Sequence, residues 1–503
     1  MKKYLFILLL LCRALSLRAQ QVEISGNAPR YAGETLKVKT TDNYFSLTEI
    51  TLAECTVAAN GDFYFVFDLS SPRVTWLYLG VFKARLCTEP GMRYIVELPP
   101  RTDKTQEEAE SAFFETVPIY LQVLSTTDKD GRIVLAQSEV NNLLVRFDAV
   151  YNPVYSQLAE DVMRQRMVYP DSLAKALLRQ FLPSGNPYFD SYVTYRCGLL
   201  YYVGRTTNVK RLSNDYFSGK PILQENEAYM ELFNLTYRDY FMYFGRTQEG
   251  RAIYPVVNER KNFGELKQLL AQDGVLAGDS LLELVIMKNL FDEFYSNRFS
   301  RQSLLSLIDS LITRTSVAAY RQMGAQIREK ITKLLRGYAP PAFSLYNQDR
   351  ELVSPESYKG KYVYLMFCTT QNYVCLSQYE LLKEIYRTHS KWLKIVVIAV
   401  DEHFEDMFEF RRKSGYLWDF LHYAHQPGVL EAYDIRTFPA YFLIDPEGKL
   451  LLSPAPEAGE IEQRLYFELS NKGLWDEYAK KGWIDRTRLQ KRLEEGTPPY
   501  FSY

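Results

Sequence analysis

The chain has 503 residues, 47% apolar and 24% charged, with 39 Tyr and 29 Phe; this length implies more than one domain, and this balance a globular protein with large aromatic cores. Its net charge is −1 and it has no dense Lys/Arg run, so the basic footprint that nucleic acid requires is missing. The first twenty residues, MKKYLFILLLLCRALSLRAQ, set Lys2 and Lys3 ahead of an apolar run at 4–11 and a cleavage zone at Ala19-Gln20. They read as a secretory signal peptide over 1–20, too short for a membrane anchor. A lipid anchor on Cys12 is the less favoured reading, because the leucines at 9–11 leave no small residue just before it. No later segment has the apolar length to span a bilayer. The mature chain is expected to be soluble and extracytoplasmic, in the periplasm or cell envelope. In that oxidising setting Cys55, Cys87, Cys197, Cys368 and Cys375 would remain, and an odd number leaves at least one thiol free or paired outside the chain.

Residues 21–100 read as strands of a small antiparallel sandwich or barrel. In CTVAANGDFYFVFDL, Asn60-Gly61 signals a two-residue hairpin and Phe63, Phe65 and Phe67 alternate after it, as on a strand with one buried face. Glu89-Pro90-Gly91 marks a turn before RYIVEL, and Pro99-Pro100 closes the unit. Cys55 and Cys87 could pair there, although two small half-buried residues are the simpler reading.

From 101 to 336 the period is helical. Val140, Leu144, Phe147 and Tyr151 share one face, as do Leu282, Ile286, Leu290 and Phe294. Asp171 and Asp279 suit N-caps, and the last helix, REKITKLL, is expected to stop at Gly337. Cys197 should be buried and inert. The many aromatics are core material first, with an exposed groove as the alternative.

From 337 to 470 strands and helices alternate. KYVYLMF, LKIVVIAVD and DFLHYA are strands, with helices LSQYELLKEIYRTH and FEDMFEFRRK between them; AYFLID and KLLLS form a hairpin across Pro446-Glu447-Gly448, and GEIEQRLYFEL is a final helix. Central strands this apolar belong to an α/β sheet covered on both faces. A charged, aromatic tail occupies 471–503.

Two runs in this last domain resemble a known family. GYAPPAFSLYNQDRELVSPESYKGKYVYLMF is similar to the opening of the TlpA/ResA-type, AhpC/TSA-related thioredoxin-like proteins, and YDIRTFPAYFLIDPEGKL to their cis-proline segment and closing hairpin, with Pro439 at the cis-proline. The resemblance implies a thioredoxin fold and thiol-disulfide chemistry at a Cys-x-x-Cys. This chain departs there: the run is Phe367-Cys368-Thr369-Thr370-Gln371-Asn372-Tyr373-Val374-Cys375. Asn372 stands at the attacking position and only the resolving position, Cys375, keeps its sulfur. Dithiol exchange needs one thiolate to attack and a second to resolve, and Asn372 cannot attack. It can cap the following helix by accepting from the Cys375 backbone N–H. Two other routes stay open. Cys375 lies in a first helical turn, which favours a thiolate and would suit a one-Cys peroxidase. Alternatively, Cys368 and Cys375 form a disulfide, if their Cα atoms come within about 7 Å.

The catalytic candidates are therefore Cys375 and, more weakly, Cys368. The substrate-binding candidates are Asn372, Phe438 and Pro439, because a cis-proline leaves the preceding backbone able to pair with an extended peptide. His389, His403, His422 and His425 are expected at the surface or at strand ends. On a strand, His422 and His425 point to opposite faces and cannot share a metal. Asp401-Glu402 reads as a solvated loop. No P-loop, dinucleotide fingerprint, HExxH or GxSxG is present, so neither metal nor organic cofactor is expected. The whole describes a multidomain envelope protein that is redox-degenerate and binds a protein or peptide partner. Thiol chemistry through Cys375 is the enzyme alternative, and a functional helical domain with the thioredoxin-like domain as scaffold is the third.

Overall fold

The computed structural model describes residues 19–105, 108, 114–296 and 298–482. Residues 1–18 of the expected signal peptide, with Cys12, and residues 483–503 of the tail lie outside them. The chain divides into two compact units, residues 1–103 with 116–330 and residues 104–115 with 331–503.

The first unit begins with β1 (Gln20–Asn27), β2 (Thr35–Asn43), β3 (Thr48–Thr56), β4 (Asp62–Leu69), β5 (Arg73–Leu79), β6 (Phe82–Thr88), β7 (Arg93–Glu97), β8 (Val117–Tyr120) and β9 (Gln122–Thr127). They form two sheets, ordered β4-β1-β7-β9 and β3-β2-β5-β6-β8. Pairing is antiparallel except for β1/β7 and β6/β8. In β4 exposed and buried residues alternate strictly, as a strand with one buried face requires. Phe63, Phe65 and Phe67 meet Val22 and Ile24 of their own sheet and Val38, Leu77 and Leu86 of the other in one core. The domain is a sandwich.

Several expectations change here. Strands β8 and β9 lie beyond Pro99-Pro100, in the stretch read as helical, and each adds an edge to one sheet. Asn60-Gly61 does form a tight turn, with the Gly61 N–H donating to Ala58 O at 2.8 Å. However, β3 and β4 on either side of it belong to different sheets. The turn is a corner between layers, because its chemistry is local while strand pairing is decided by which faces must be buried. Cys55 and Cys87 remain free thiols.

The helices of this unit include α1 (Val140–Met163), α2 (Pro170–Phe181), α3 (Pro187–Val203), α4 (Glu227–Thr236), α5 (Phe263–Leu270), α6 (Asp279–Phe294), α7 (Arg301–Arg314) and α8 (Ala318–Thr332). Both expected apolar faces are buried. Asp171 and Asp279 stand inside their helices' first turns, behind Tyr169 and Gly278 as N-caps; an acid there still complements the helix dipole. Helix α8 ends at Thr332, so Gly337 is not its cap. Its left-handed backbone (φ 88°) instead lets its N–H reach Leu450 O at 2.7 Å. Cys197 is fully buried, and burial pushes its thiol pKa up to about 12.

The second unit holds β10 (Leu345–Asn347), β11 (Leu352–Val353), β12 (Tyr362–Cys368), β13 (Leu393–Ala399), β14 (Asp419–His422), β15 (Ala440–Ile444) and β16 (Leu450–Leu452), in the order β11-β10-β14-β13-β12-β15-β16. Strands β12, β13 and β14 are mutually parallel, and β15 runs antiparallel to β12. Helices α9 (Tyr373–His389), α10 (Phe404–Ser414), α11 (Pro427–Ala432) and α12 (Ile461–Asn471) cover the sheet. Every residue of β12 is buried. Tyr364, Met366 and Cys368 face a core shared with α9, α10 and α12, while Val363, Leu365 and Phe367 face a second core with α11. This is a thioredoxin-like α/β layout. Among the described residues no helix is long and apolar enough to cross a membrane.

Candidate functional site

The carboxyl ends of parallel strands are where α/β sheets place their chemistry. Here β12 ends in Cys368, and four residues later Asn372 caps the start of α9. The Asn372 side-chain oxygen accepts from the N–H groups of Val374 (2.8 Å) and Cys375 (3.2 Å). That satisfies two of the donors a helix start leaves unpaired. Asn372 is thus a helix cap at the position where an attacking sulfur would sit.

Cys375 follows in the first turn. Its Cα lies 5.8 Å from that of Cys368, and the two are joined in a disulfide. Of the alternatives open at the sequence level, the structure therefore takes the Cys368–Cys375 bond. Both residues are 0% exposed, whereas Tyr373 is 84% and Val374 50% exposed. The loop turns its sulfurs inward and its apolar side chains outward.

Asp401 sits beneath the loop, where the Thr370 N–H and hydroxyl both donate to its Oδ1 at 2.9 Å. It is buried, not solvated as its sequence position suggested. The missed signal was topological: β12 and β13 are parallel neighbours, so the residues just past their ends come together. His422, at the end of β14, donates from Nε2 to Asp401 O (2.9 Å), and its Nδ1 accepts from the Ala424 N–H (3.2 Å). Burial holds its pKa below the ordinary histidine value. One turn after Cys375, burial and then Asp401 push the Tyr379 hydroxyl well above its usual range, keeping it neutral.

The Phe438–Pro439 peptide is cis. Ala440 pairs with Phe367, so Pro439 occupies the next register position, across from Cys368. Phe438 is half-buried against both cores. The structure thus gathers all the sequence candidates, Cys368, Asn372, Cys375, Phe438 and Pro439, around the end of β12. What sequence reasoning missed were Thr370, Asp401 and His422. The histidine readings also need correction. His389 is fully buried at the end of α9, with Nε2 2.9 Å from Glu462 Oε1. Strand β14 stops at His422, so the opposite-faces argument does not apply to His425, which lies on the following turn. Among the described residues no cluster of His, Cys, Asp or Glu is arranged to hold a metal ion.

Residues 337–452 match the model of the AhpC/TSA family. The C-terminal domain is a thioredoxin-like domain of that family. Similar solved structures include the thioredoxin domain of a thiol-disulfide oxidoreductase from Bacteroides vulgatus, with 24% identity, 27% of this chain and 97% of that chain covered, and a TM-score of 0.25. A thiol:disulfide interchange protein from Bacteroides sp. is similar at 25% identity, with 27% and 91% covered and a TM-score of 0.25. No curated protein matches the chain.

Proposed function

We propose that this chain is an extracytoplasmic thioredoxin-like protein that has given up dithiol exchange and uses the end of its C-terminal sheet to bind a protein or peptide of the cell envelope. The observation that carries this reading is that both sulfurs are joined and fully buried while Asn372 holds the attacking position. A buried disulfide offers no sulfur to a substrate thiolate. The exposed Tyr373 and Val374, in the first turn of α9, supply the apolar surface that an extended peptide needs. Export rests on Lys2, Lys3 and the apolar run that follows.

The alternative is thiol chemistry through Cys375. It has one support: the N-terminus of a 17-residue helix favours a thiolate once the disulfide is opened. An alkylation map of the mature protein, with and without reductant, separates the two when joined to an insulin-reduction assay. The binding reading expects no labelling of Cys368 or Cys375 without reductant and no insulin turnover. Turnover that disappears in Cys375→Ser sinks it in favour of the enzyme. The binding surface is tested by peptide-display selection on the mature chain. Selected peptides should lose their hold on a Tyr373→Ser, Val374→Ser variant, and binding unchanged by that pair of substitutions removes the proposed surface.

A further inference from the structure

The outer face of the β4-β1-β7-β9 sheet lies wholly within the unit formed by residues 1–103 and 116–330 and takes no part in its core. Strand β4, DFYFVFDL, turns Phe63, Phe65 and Phe67 inward, which leaves Asp62, Tyr64, Val66 and Asp68 on the other face. A solvent face has no need of apolar side chains, and single ones there are ordinary. These are not single. Ser25 of β1 pairs with Tyr64 on one side and with Ile95 of β7 on the other. A small serine thus separates two large apolar side chains in one row across three strands.

In the adjoining row Glu23 pairs with Val66 and with Arg93. Ile95 pairs with Ser125 of β9, and the register shift that follows inserts Leu124 beside it. Tyr64, Val66, Ile95 and Leu124 are each between 37% and 57% exposed. Neighbouring strands lie about 4.8 Å apart, so the four side chains form one patch. A contiguous apolar patch with a polar rim marks an interaction site, where scattered apolar residues do not.

The rim of this patch is acidic. Glu23 accepts from Arg93 Nε at 3.0 Å, so that pair cancels. The other charged side chains that these strands expose on this face are Asp62 and Asp68, near the two ends of β4, and Glu97, two residues past Ile95. Asp62 takes its hydrogen bonds from neutral amides, Asn27 Nδ2 at 2.7 Å and Asn60 Nδ2 at 2.6 Å. Negative charge therefore surrounds the apolar centre, and that charge selects the occupant. A second copy of the face would set acid against acid. An anionic lipid surface or a nucleic acid would be repelled in the same way. What complements the face is a protein segment that carries an aromatic or aliphatic residue flanked by Lys or Arg.

We propose that this face docks a cationic protein segment, with Tyr64, Val66, Ile95 and Leu124 as the apolar contact and Asp62, Asp68 and Glu97 as the rim that receives Lys or Arg. A random peptide library displayed on phage and selected on the full chain tests this, with the recovered peptides measured by calorimetry. Some of them should lose their hold on a Tyr64→Thr, Ile95→Thr variant, and these should carry net positive charge and an aromatic or aliphatic residue. Their affinity should fall about tenfold, or 1.4 kcal/mol, in that variant, and about threefold in Asp68→Asn, Glu97→Gln. It should weaken with added salt. It should not change in Tyr373→Ser, Val374→Ser, which separates this face from the site in the other unit. The four substituted side chains of the face are exposed and threonine keeps strand preference, so the variants keep the fold, which circular dichroism verifies. Recovery of no peptide sensitive to the Tyr64→Thr, Ile95→Thr pair, or of sensitive peptides that are neutral or acidic, overturns the proposal. So does an affinity that Asp68→Asn, Glu97→Gln leaves unchanged.

Discussion

Strands β4 and β12 are both rich in aromatics, yet they are buried in different ways. In β4 every second residue faces water, and Tyr64 beside Phe65 is 53% exposed. In β12 no residue does, because one set of side chains packs under α9 and α12 and the other under α11. A strand with one buried face needs an alternating sequence. A strand with two needs an apolar run and leaves no position free. The same contrast holds for sulfur. The first unit buries Cys87 and Cys197 as free thiols, while the second ties Cys368, the last residue of its two-faced strand, to Cys375.

Neighbouring alanine substitutions give the sharpest test of this contrast. Phe367→Ala removes a fully buried ring that meets Tyr433 at 5.0 Å and Phe442 at 5.9 Å. It should cost about 3–5 kcal/mol, and the adjacent Met366→Ala about 2–5 kcal/mol. In β4, Phe65→Ala should match the first of these, whereas Tyr64→Ala should change stability by only about 0.5 kcal/mol. Hydrogen exchange read on peptides from each unit measures all four. A Met366→Ala variant as mild as Tyr64→Ala would show that β12 has a free face.

The sulfur contrast predicts a smaller effect. The Cys368–Cys375 bond closes a short loop, with a sequence separation of 7, so opening it should destabilise the second unit by about 2 kcal/mol. Dithiothreitol and Cys375→Ser should act alike there. Neither should move the first unit, whose described cysteines are all unpaired. A reductant effect on the first unit's exchange rates would contradict the pairing. Smaller again is the cap. Asn372→Ala should cost about 1 kcal/mol and Asn372→Ser much less, because serine caps nearly as well. Exchange of the Val374 and Cys375 amides reads both.

How far the sequence reached follows from the range of each interaction. The burial of β12, the capping role of Asn372 and the placement of Pro439 were legible, because an apolar run, a polar residue before a helix and a proline before a strand each act over a few residues. Strands β8 and β9 were not. They are short, and their side chains are largely exposed at sheet edges, so their apolar pattern is too weak to outweigh the helical stretch that follows. The pairing of Cys368 with Cys375 stayed one option among several, since it depends on how a strand end and a helix start meet in space. Asp401 was misread for the same reason. Its burial comes from Thr370, 31 positions away in sequence.

The smallest effect joins pH to the candidate site. His422 is neutral by construction: its Nε2–H is committed to Asp401 O, and its Nδ1 accepts from the Ala424 N–H. Protonating Nδ1 would turn that acceptor into a donor facing a donor. Burial already lowers the folded-state pKa below the ordinary value of 6.5, so the unfolded chain takes up this proton first. The stability His422 contributes is therefore complete above about pH 6.5 and is lost as pH falls through its folded-state value. The effect should reach the active loop, because the residue that holds Thr370 also receives the His422 hydrogen bond. Histidine NMR should give the shifted titration, and amide exchange at Thr370 should quicken with acidification over the same range once the intrinsic pH dependence of exchange is removed. In His422→Gln, which keeps a side-chain donor but does not titrate, Thr370 exchange should lose this dependence. If Thr370 follows the same pH curve in that variant, its protection is independent of His422, and the chain of contacts from β14 to the loop is not what couples them.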